Sequence, residues 1–580
     1  MFNKDYMIID GMKIELEGEK NILQVIRKAG VDLPTFCYHS DLSTYGACRM
    51  CIVENKWGGL DAACSTPPKN GMEIKTNTPR LIRYRKNILK MLLTSHCREC
   101  TTCPKSMDCT LQNLARRFGI TQLKFSDNEN VPALEEHIDN SSSSIFRDQS
   151  KCILCGDCVR VCSETQHVGC IDFADRGYDL KVTTAFNMPI SETECVNCGQ
   201  CAAACPTGAI TIKDCTLKVW DAVHDPTKRV IAQIAPAVRF AIGEEFGLEE
   251  GTNAMPYIVA ALRRIGFDEV YDTSFSADMT VIEETNEFLK KLETPEELPL
   301  FTSCCPAWVK YVENKRPEFL KNISSCKSPQ QMFGAIYKQH ARYEEPDDER
   351  EVVVVSIMPC TAKKQEARRP EFMVGGVTDV DRVITTQELA NMIWEAGLDL
   401  KTLEPEGTDM PFGMYSGAGL IFGVTGGVTE AVIRKVMADK SRIAMDNLKF
   451  IGVRGMEGIK EFDLPIGDGE KVLKIAVCSG LANADKLLDK IESGEMHYDF
   501  IEVMACPGGC VHGGGQPYHH ASYDKSKRAE GVYKMDRRTR VKHSDANPII
   551  AGVYENVIKG DAHKLLHVHY EQPHIPHYTK

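Results

Sequence analysis

The 580-residue chain contains no apolar run approaching the ~18–20 residues that a membrane-spanning helix needs. Its opening stretch, MFNKDYMIIDGMKIELEGEK, lacks the basic region and apolar core of a secretory signal. A cytoplasmic protein without a membrane partner is therefore expected. Positive charge is not in excess: 69 Lys and Arg stand against 81 Asp and Glu, leaving a formal net charge of -12. Phosphate binding wants a basic face, so no nucleic-acid partner is expected. No P-loop is present. Gly417, Gly419 and Gly423 of SGAGLIFG have the wrong spacing for a dinucleotide fingerprint. They are read as points of close backbone packing, and no nicotinamide site is expected.

What the chain does have is cysteine, 25 in all. In a cytosolic chain so many thiols point to metal rather than to disulfides. Most stand in tight groups before residue 206, and the rest are sparse and lie in apolar surroundings. The remaining composition, 43% hydrophobic and 26% charged, is that of an ordinary globular protein. Length alone gives a prior of about four domains.

Residues 7–36 read as a small β-rich unit. Asp10-Gly11 turns a hairpin, and Asn21 caps a helix, NILQVIRKAG, that stops at Gly30. Residues 80–125 look helical. NSSSSIF, Asn140 to Phe146, is a linker or turn by composition. Residues 148–212 hold two copies of one Cys pattern. From about 217, apolar strands alternate with helical stretches, which predicts an α/β domain with a largely parallel sheet. Three of those strands run into a cysteine, and in such sheets ligands bind beyond the carboxyl ends of strands.

Cys152-x2-Cys155-x2-Cys158-x3-Cys162 is followed by Cys195-x2-Cys198-x2-Cys201-x3-Cys205-Pro206. This resembles the bacterial two-cluster ferredoxins, in which the fourth Cys of each run ligates the other cluster. The resemblance implies one [4Fe-4S] on Cys152, Cys155, Cys158 and Cys205, and a second on Cys195, Cys198, Cys201 and Cys162. Zinc sites take two close pairs and fit this spacing poorly. Cys37-x10-Cys48-x2-Cys51-x12-Cys64 departs from plant-type spacing. It resembles the N-terminal [2Fe-2S] domain shared by some hydrogenases and the large subunit of respiratory NADH dehydrogenase; zinc is the alternative. His96-x3-Cys100-x2-Cys103-x5-Cys109 offers three thiols and an imidazole. On the residues alone Cys97 competes with His96 for the fourth place, and the resemblance points to His96. Four accessory clusters in one chain make sense as an electron relay.

Beyond them stand TSCCPAW (Thr302 to Trp308), MPCTAKKQE (Met358 to Glu366) and EVMACPGGCVHGGGQP (Glu502 to Pro517). Together these resemble the three signature motifs of the [FeFe]-hydrogenases, and the Cys groups before them match the large, monomeric clostridial type in number, order and spacing. The resemblance covers essentially the whole chain. It implies reversible oxidation of H2 and reduction of protons, with electrons passed to or from ferredoxin or flavodoxin, and a need for hydrogenase maturation proteins. The implied cofactors are one [2Fe-2S], three accessory [4Fe-4S] and the H-cluster, a [4Fe-4S] unit joined to a diiron subcluster bearing CO, cyanide and a bridging dithiolate.

Carried over by position, Cys305, Cys360, Cys506 and Cys510 hold the H-cluster, with Cys510 bridging to the diiron part. Cys304 exchanges a proton with the bridging amine, and an ordinary thiol near pKa ~8.5 suits that task. Glu284, Ser324 and Glu287 continue the proton path. Without the resemblance, the two glutamates would be read as a solvated helix face. Lys363 faces a cyanide. Ala235, Pro236, Gln330, Met358, Phe422 and Met504 line the pocket. Ala237 stands where some relatives have Ser, and Pro507 where some have His.

The implied fold class is an α/β catalytic domain whose strands end at cluster ligands, preceded by α+β ferredoxin-like iron–sulfur domains. The expected divisions are a β-grasp [2Fe-2S] domain at 1–79, a His/Cys3 [4Fe-4S] domain at 80–125, a two-[4Fe-4S] domain at 140–213 and the catalytic domain at 217–580. Of the six cysteines outside the ligand sets (Cys97, Cys170, Cys215, Cys304, Cys326 and Cys478), only Cys304 has a role, the others being expected as buried small hydrophobes. The histidine-rich end (His563, His567, His569, His574, His577) is read as a surface tail with weak metal affinity at most.

Three rival readings stand beside this one. Non-catalytic iron–sulfur assembly relatives lack the full catalytic set, whereas Cys304, Glu284, Glu287 and Lys363 are all present here. A sensory relative would normally carry a signalling domain, for which no segment is left. The catalytic subunit of an electron-bifurcating, NAD-linked complex is the alternative, but its larger members add cluster motifs after the catalytic domain. No Cys follows Cys510, which favours a ferredoxin-linked enzyme.

Overall fold

The structure is a computed structural model describing residues 5–123, 138–344, 348–374, 376–437, 452–466, 471–518, 525–560 and 562–571. It forms two compact units. One comprises Met1–Glu164, Gly169–Thr193 and Cys201–Thr211, and the other Thr165–Val168, Glu194–Gln200 and Ile212–Lys580. Glu194–Gln200, with Cys195 and Cys198, groups with the second unit.

In the first unit, Tyr6–Ile9 and Met12–Glu15 pair antiparallel across Asp10 and Gly11, both at positive φ. They belong to a five-stranded sheet with Met72–Lys75, Ile52–Asn55 and Leu60–Ala62. The helix Ile22–Lys28 starts where the Asn21 side chain accepts the Gln24 N–H at 3.0 Å. It buries Ile22, Leu23, Val25 and Ile26 in one core with Met7 and Ile9. The result is a mixed sheet packed against one helix. The helical region expected at 80–125 resolves into Pro79–Thr94 and Thr110–Arg117, its last two residues lying outside the described ones. NSSSSIF is a turn rather than a linker. It joins Ile138–Asp139 to Ile145–Asp148 in a hairpin, with Ser142 and Ser144 buried.

The second unit contains two four-stranded sheets instead of one. The first runs Glu269–Asp272, Lys228–Ile234, Glu351–Met358, Arg382–Thr385, all parallel. The second runs Leu300–Phe301, Phe500–Met504, Lys471–Ser479, Ile459–Ile466, with only the last antiparallel. Val353, Val354, Val355 and Ile357 are all buried, as a strand covered on both faces requires. Strands from both sheets end at the signature motifs: Glu351–Met358 leads to Cys360, Phe500–Met504 to Cys506, and Leu300–Phe301 to Cys304 and Cys305. No helix among the described residues is long and apolar enough to cross a membrane.

Candidate active site

Cys305 is the N-cap of the helix Pro306–Lys315, and Cys360 stands two residues before the helix Ala362–Glu366. Each thiol thus faces unpaired N–H groups and the positive end of a helix. Around Cys305 these are the backbones of Ala505, Trp308 and Ala307, and around Cys360 those of Lys363 and Ala362. Cys506 and Cys510 come from a loop that only glycine can build. Gly509 has φ +92°, and a Cβ there would lie 2.5 Å from the Thr425 nitrogen. A Cβ on Gly513 would lie 2.1 Å from the Pro359 carbonyl oxygen.

The four cysteines carry free thiols, Cys506 buried and Cys305, Cys360 and Cys510 half-buried. Burial raises each of them, Cys360 to about 12, and the charge of one is felt by the others. Gln200 adds a donor, its Nε2 lying 3.1 Å from the Cys506 Sγ. Four convergent thiols without disulfides fit a cluster that takes them as thiolates.

Lys363 is the buried cation beside them. Burial alone would lower its pKa, but Glu366 and the thiols of Cys360 and Cys304 outweigh that and raise it. Its Nζ lies 2.9 and 3.0 Å from the Glu366 oxygens and 3.1 Å from the Cys304 carbonyl oxygen. Glu366 also accepts from Ser328 and Gln330, each at 3.0 Å. The sequence reading quoted Glu366 at the end of a motif without giving it work. Its i,i+3 spacing from Lys363 was the available signal. The Gln330 Oε1 is buried without a partner. Phe422 and Met504 pack in one apolar cluster with Cys304 and Cys510. Ala235 and Met358 lie in the neighbouring core, and the Pro236 carbonyl accepts from Arg239 at 3.1 Å. Gly417, Gly419 and Gly423 are sites of close approach as expected: a Cβ on Gly419 would lie 2.2 Å from the Ser274 carbonyl oxygen.

Cys304 departs from expectation in its acidity. Burial pushes its pKa well above the ordinary thiol value; Glu284, Cys305 and Cys510 add to this, and only Lys363 opposes. Glu284, on the helix Ser274–Lys291, is 0% exposed, and neither carboxylate oxygen makes a well-formed hydrogen bond. Burial, reinforced by Glu287, raises it to about 8, with the Ser324 hydroxyl and the Ser303 backbone pulling weakly the other way. This is not a solvated helix face. Ser324 Oγ donates to Glu287 Oε2 at 3.0 Å, and Lys291 lies 3.4 Å from Glu287 Oε1.

In the first unit, Cys152, Cys155, Cys158 and Cys205 line one small cavity. Burial raises Cys152 to about 11. The internal repeat is visible in the backbone: Leu154 and Asn197 have φ of 56° and 58°, and Gly156 and Gly199 of 76° and 72°. A left-handed leucine is costly, and it is held where Leu154 N–H reaches the Cys152 Sγ at 3.4 Å. Asn197 N–H reaches the Cys195 Sγ at the same distance. Cys162 lies 3.7 Å from Cys170, which the sequence reading left without a role; that contact lowers Cys162 to about 7. Cys170 and Cys215 are half-buried rather than core, whereas Cys97, Cys326 and Cys478 are buried as expected.

Cys37 and Cys48 are hydrogen-bonded, as are Cys51 and Cys64, and Cys64 feels the charge of the other three. Contact with Cys37 lowers Cys48 to about 6. Arg85, missed in the sequence, is buried near Cys51 and donates only to the carbonyls of Met50, Thr76 and Ile52. Cys109 is raised by burial and feels Cys103 and Cys100. Burial and Lys151 lower His96 to about 4, and its Nδ1 is buried without a partner. A neutral imidazole with an unused nitrogen fits a metal ligand. Cys97 is buried too. His574 and His577 lie outside the described residues.

Residues 228–514 match the family described as iron only hydrogenase large subunit, C-terminal domain. Residues 522–572 match iron hydrogenase small subunit. Residues 7–79 match a 2Fe-2S iron-sulfur cluster binding domain, 85–123 an NADH-ubiquinone oxidoreductase-G iron-sulfur binding region, and 151–209 a 4Fe-4S dicluster domain. The chain is 42% identical to the NADP-reducing hydrogenase subunit HndD of Solidesulfovibrio fructosivorans, over 97% of this chain and 98% of that one. It is 36% identical to iron hydrogenase 1 of Clostridium pasteurianum, over 98% and 100%. A cytosolic Fe-S cluster assembly factor of Xenopus tropicalis is 30% identical over 66% and 83%. A solved structure of a variant of the [FeFe]-hydrogenase HydA1 from Chlamydomonas reinhardtii superposes with a TM-score of 0.52 at 38% identity, covering 61% of this chain and 98% of that one.

Proposed function

The chain belongs to the [FeFe]-hydrogenases, and from that membership we propose which of its residues carry the interconversion of H2 with protons and electrons. The observation that supports the reading most is the set of four convergent free thiols beyond strand ends, with Lys363 beside them. Cys305, Cys360, Cys506 and Cys510 would hold the H-cluster. When bound, that group supplies the centre at which H2 is split or formed.

The protein's own part is binding, charge and proton handling. Lys363, fixed by Glu366 and the Cys304 carbonyl, presents Nζ as a cation to an anionic ligand of the diiron part. Met358, Phe422, Met504, Ala235 and Pro236 keep water out, and Gln330 offers its unpaired Oε1 as an acceptor. The Cys304 thiol holds a proton at Sγ. Glu284, neutral at pH 7 with a pKa near 8, is close to the operating range of a proton relay. The Ser324 hydroxyl, bonded to Glu287, rotates to pass a proton from Glu284 to Glu287 and back.

Accessory clusters on Cys37, Cys48, Cys51 and Cys64, on His96, Cys100, Cys103 and Cys109, and on the two crossed Cys152 and Cys195 sets would carry electrons to a ferredoxin or flavodoxin. The likeness to HndD favours a second reading, the catalytic subunit of an NAD(P)-linked complex. The lack of cysteine after Cys510 does not decide against it, because the match spans 98% of HndD. The test is to mature the protein with hydrogenase maturation enzymes and assay H2 evolution. Turnover with reduced ferredoxin alone supports the first reading. Dependence on NAD(P)H and added partner subunits replaces it with the second. Iron analysis should give about 20 atoms per chain, and about 18 without maturation, from the ligand count.

A further inference from the structure

The outer end of the proton path is closed by a segment near the end of the described chain. Val568 N–H donates to the Ser325 carbonyl at 2.7 Å and Lys327 N–H to the Leu566 carbonyl at 2.8 Å. This locks His567 opposite Cys326 in an antiparallel bridge. Glu287 comes up from the helix Ser274–Lys291. One ligand atom from each of Glu287, Cys326 and His567 then lies within 4.8 Å of the others. None of the three is needed to hold the clusters, and the sequence reading gave Cys326 only a packing role.

The arrangement is that of a metal site in three respects. Cys326 Sγ is 3.8 Å from Glu287 Oε2. Two donors on a tetrahedral zinc, bonded at ~2.3 Å through sulfur and ~2.1 Å through oxygen, sit about 3.6 Å apart, so little closure is needed. His567 Nε2 is 3.1 Å from Glu283 Oε2. A carboxylate can only accept, so in the neutral ring Nε2 carries the hydrogen and Nδ1 presents a lone pair. His567 Nδ1 lies 2.8 Å from the Ser325 hydroxyl, which donates to Glu287 Oε2 at 3.0 Å, so a cation taking the Nδ1 lone pair would displace that hydroxyl. The ring is therefore oriented by an outer carboxylate, as metal-bound histidines are. Tyr554 in turn holds the other oxygen of Glu283. Third, one sulfur, one imidazole nitrogen and one carboxylate oxygen suit a borderline divalent cation, with water as fourth ligand. Lys291 opposes a cation from the far oxygen of Glu287, at 3.4 Å.

We propose that Glu287, Cys326 and His567 form a zinc(II)-type site whose occupation closes the proton path at Glu287. Binding deprotonates the Cys326 thiol and displaces the Ser324 and Ser325 hydroxyls from Glu287. The binding claim stands on geometry alone; its effect on turnover rests on the function proposed above. The test uses the matured holoenzyme and zinc sulfate. H2 evolution should fall at least tenfold at micromolar zinc and recover with EDTA, while iron content and the CO and cyanide infrared bands stay unchanged. With one equivalent bound, zinc K-edge absorption should show one sulfur near 2.3 Å with nitrogen or oxygen neighbours. Cys326→Ala should lose that sulfur. In Cys326→Ala and His567→Ala the ratio of rates with and without zinc should shift to at least tenfold higher zinc. A sulfur-free zinc shell, or equal sensitivity in both variants, overturns the site. An enzyme without H2 chemistry in the absence of zinc defeats the proposed function instead, and the absorption measurement still reads the site.

Discussion

Lys363 and Glu366 form a buried ion pair within one helical turn, the ammonium 2.9 and 3.0 Å from the two carboxylate oxygens. Glu366 anchors the cation proposed to face the cluster, because Ser328 and Gln330 hold the same carboxylate at 3.0 Å. Removing one partner of such a pair leaves an uncompensated charge in a dry pocket. Glu366→Gln should therefore destabilise the catalytic unit by about 3–5 kcal/mol. The measurement is the unfolding midpoint of protein lacking the diiron part. An unchanged midpoint would mean that Lys363 is compensated elsewhere.

Glu284 gives a pH dependence with a definite sign. Its pKa is raised from the ordinary 4.5 to about 8 by burial and by Glu287. The folded state thus holds the proton more tightly than the unfolded state. The stabilisation is complete below pH ~4.5 and is lost as the pH rises through about 8. The stability of the native protein relative to Glu284→Gln should fall across that window and level off above it. A flat difference between pH 5 and 8 would show that Glu284 is ionised and solvated. Because glutamine cannot relay a proton through the carboxyl, turnover of Glu284→Gln should also fall by roughly 10²-fold or more.

Much of this was legible in the sequence. Cysteine spacing grouped Cys152, Cys155 and Cys158 with Cys205, which line one cavity, but gave no sign of the approach of Cys170 to Cys162. Asn21, Asp10 and Gly11 announced a cap and a turn because those signals are local. What was not legible depends on partners distant in sequence. The upward pKa shift of Cys304 comes from burial and from Glu284, Cys305 and Cys510, none of which its position beside Cys305 announces except that neighbour itself. Arg85, on the helix Pro79–Thr94, and Gln200, at the start of the helix Gln200–Ala204, approach cysteines in ways the spacing does not reveal. The division of eight strands into two sheets is decided by pairing across hundreds of residues, such as Phe301 with Ile501.

His96 offers a clean electrostatic test. Its Nδ1 is buried without a partner, and Cys97 is the neighbouring alternative. If the imidazole is the ligand, His96→Cys should retain a cluster but lower its reduction potential, since a thiolate adds negative charge. Redox titration followed by EPR reads this directly. No shift in any cluster signal would transfer the ligand role to Cys97.

The adjacent thiols of Cys304 and Cys305 carry the central claim, because one is assigned to proton transfer and the other to the cluster. The decisive measurement is infrared spectroscopy with turnover on the matured Cys304→Ser and Cys305→Ser proteins. Cys304→Ser should keep its iron and its CO and cyanide bands while activity falls by roughly 10²–10⁴-fold, the usual contribution of a positioned acid–base group. Cys305→Ser should lose cluster binding and the bands with it. Bands lost in Cys304→Ser and retained in Cys305→Ser would contradict the account.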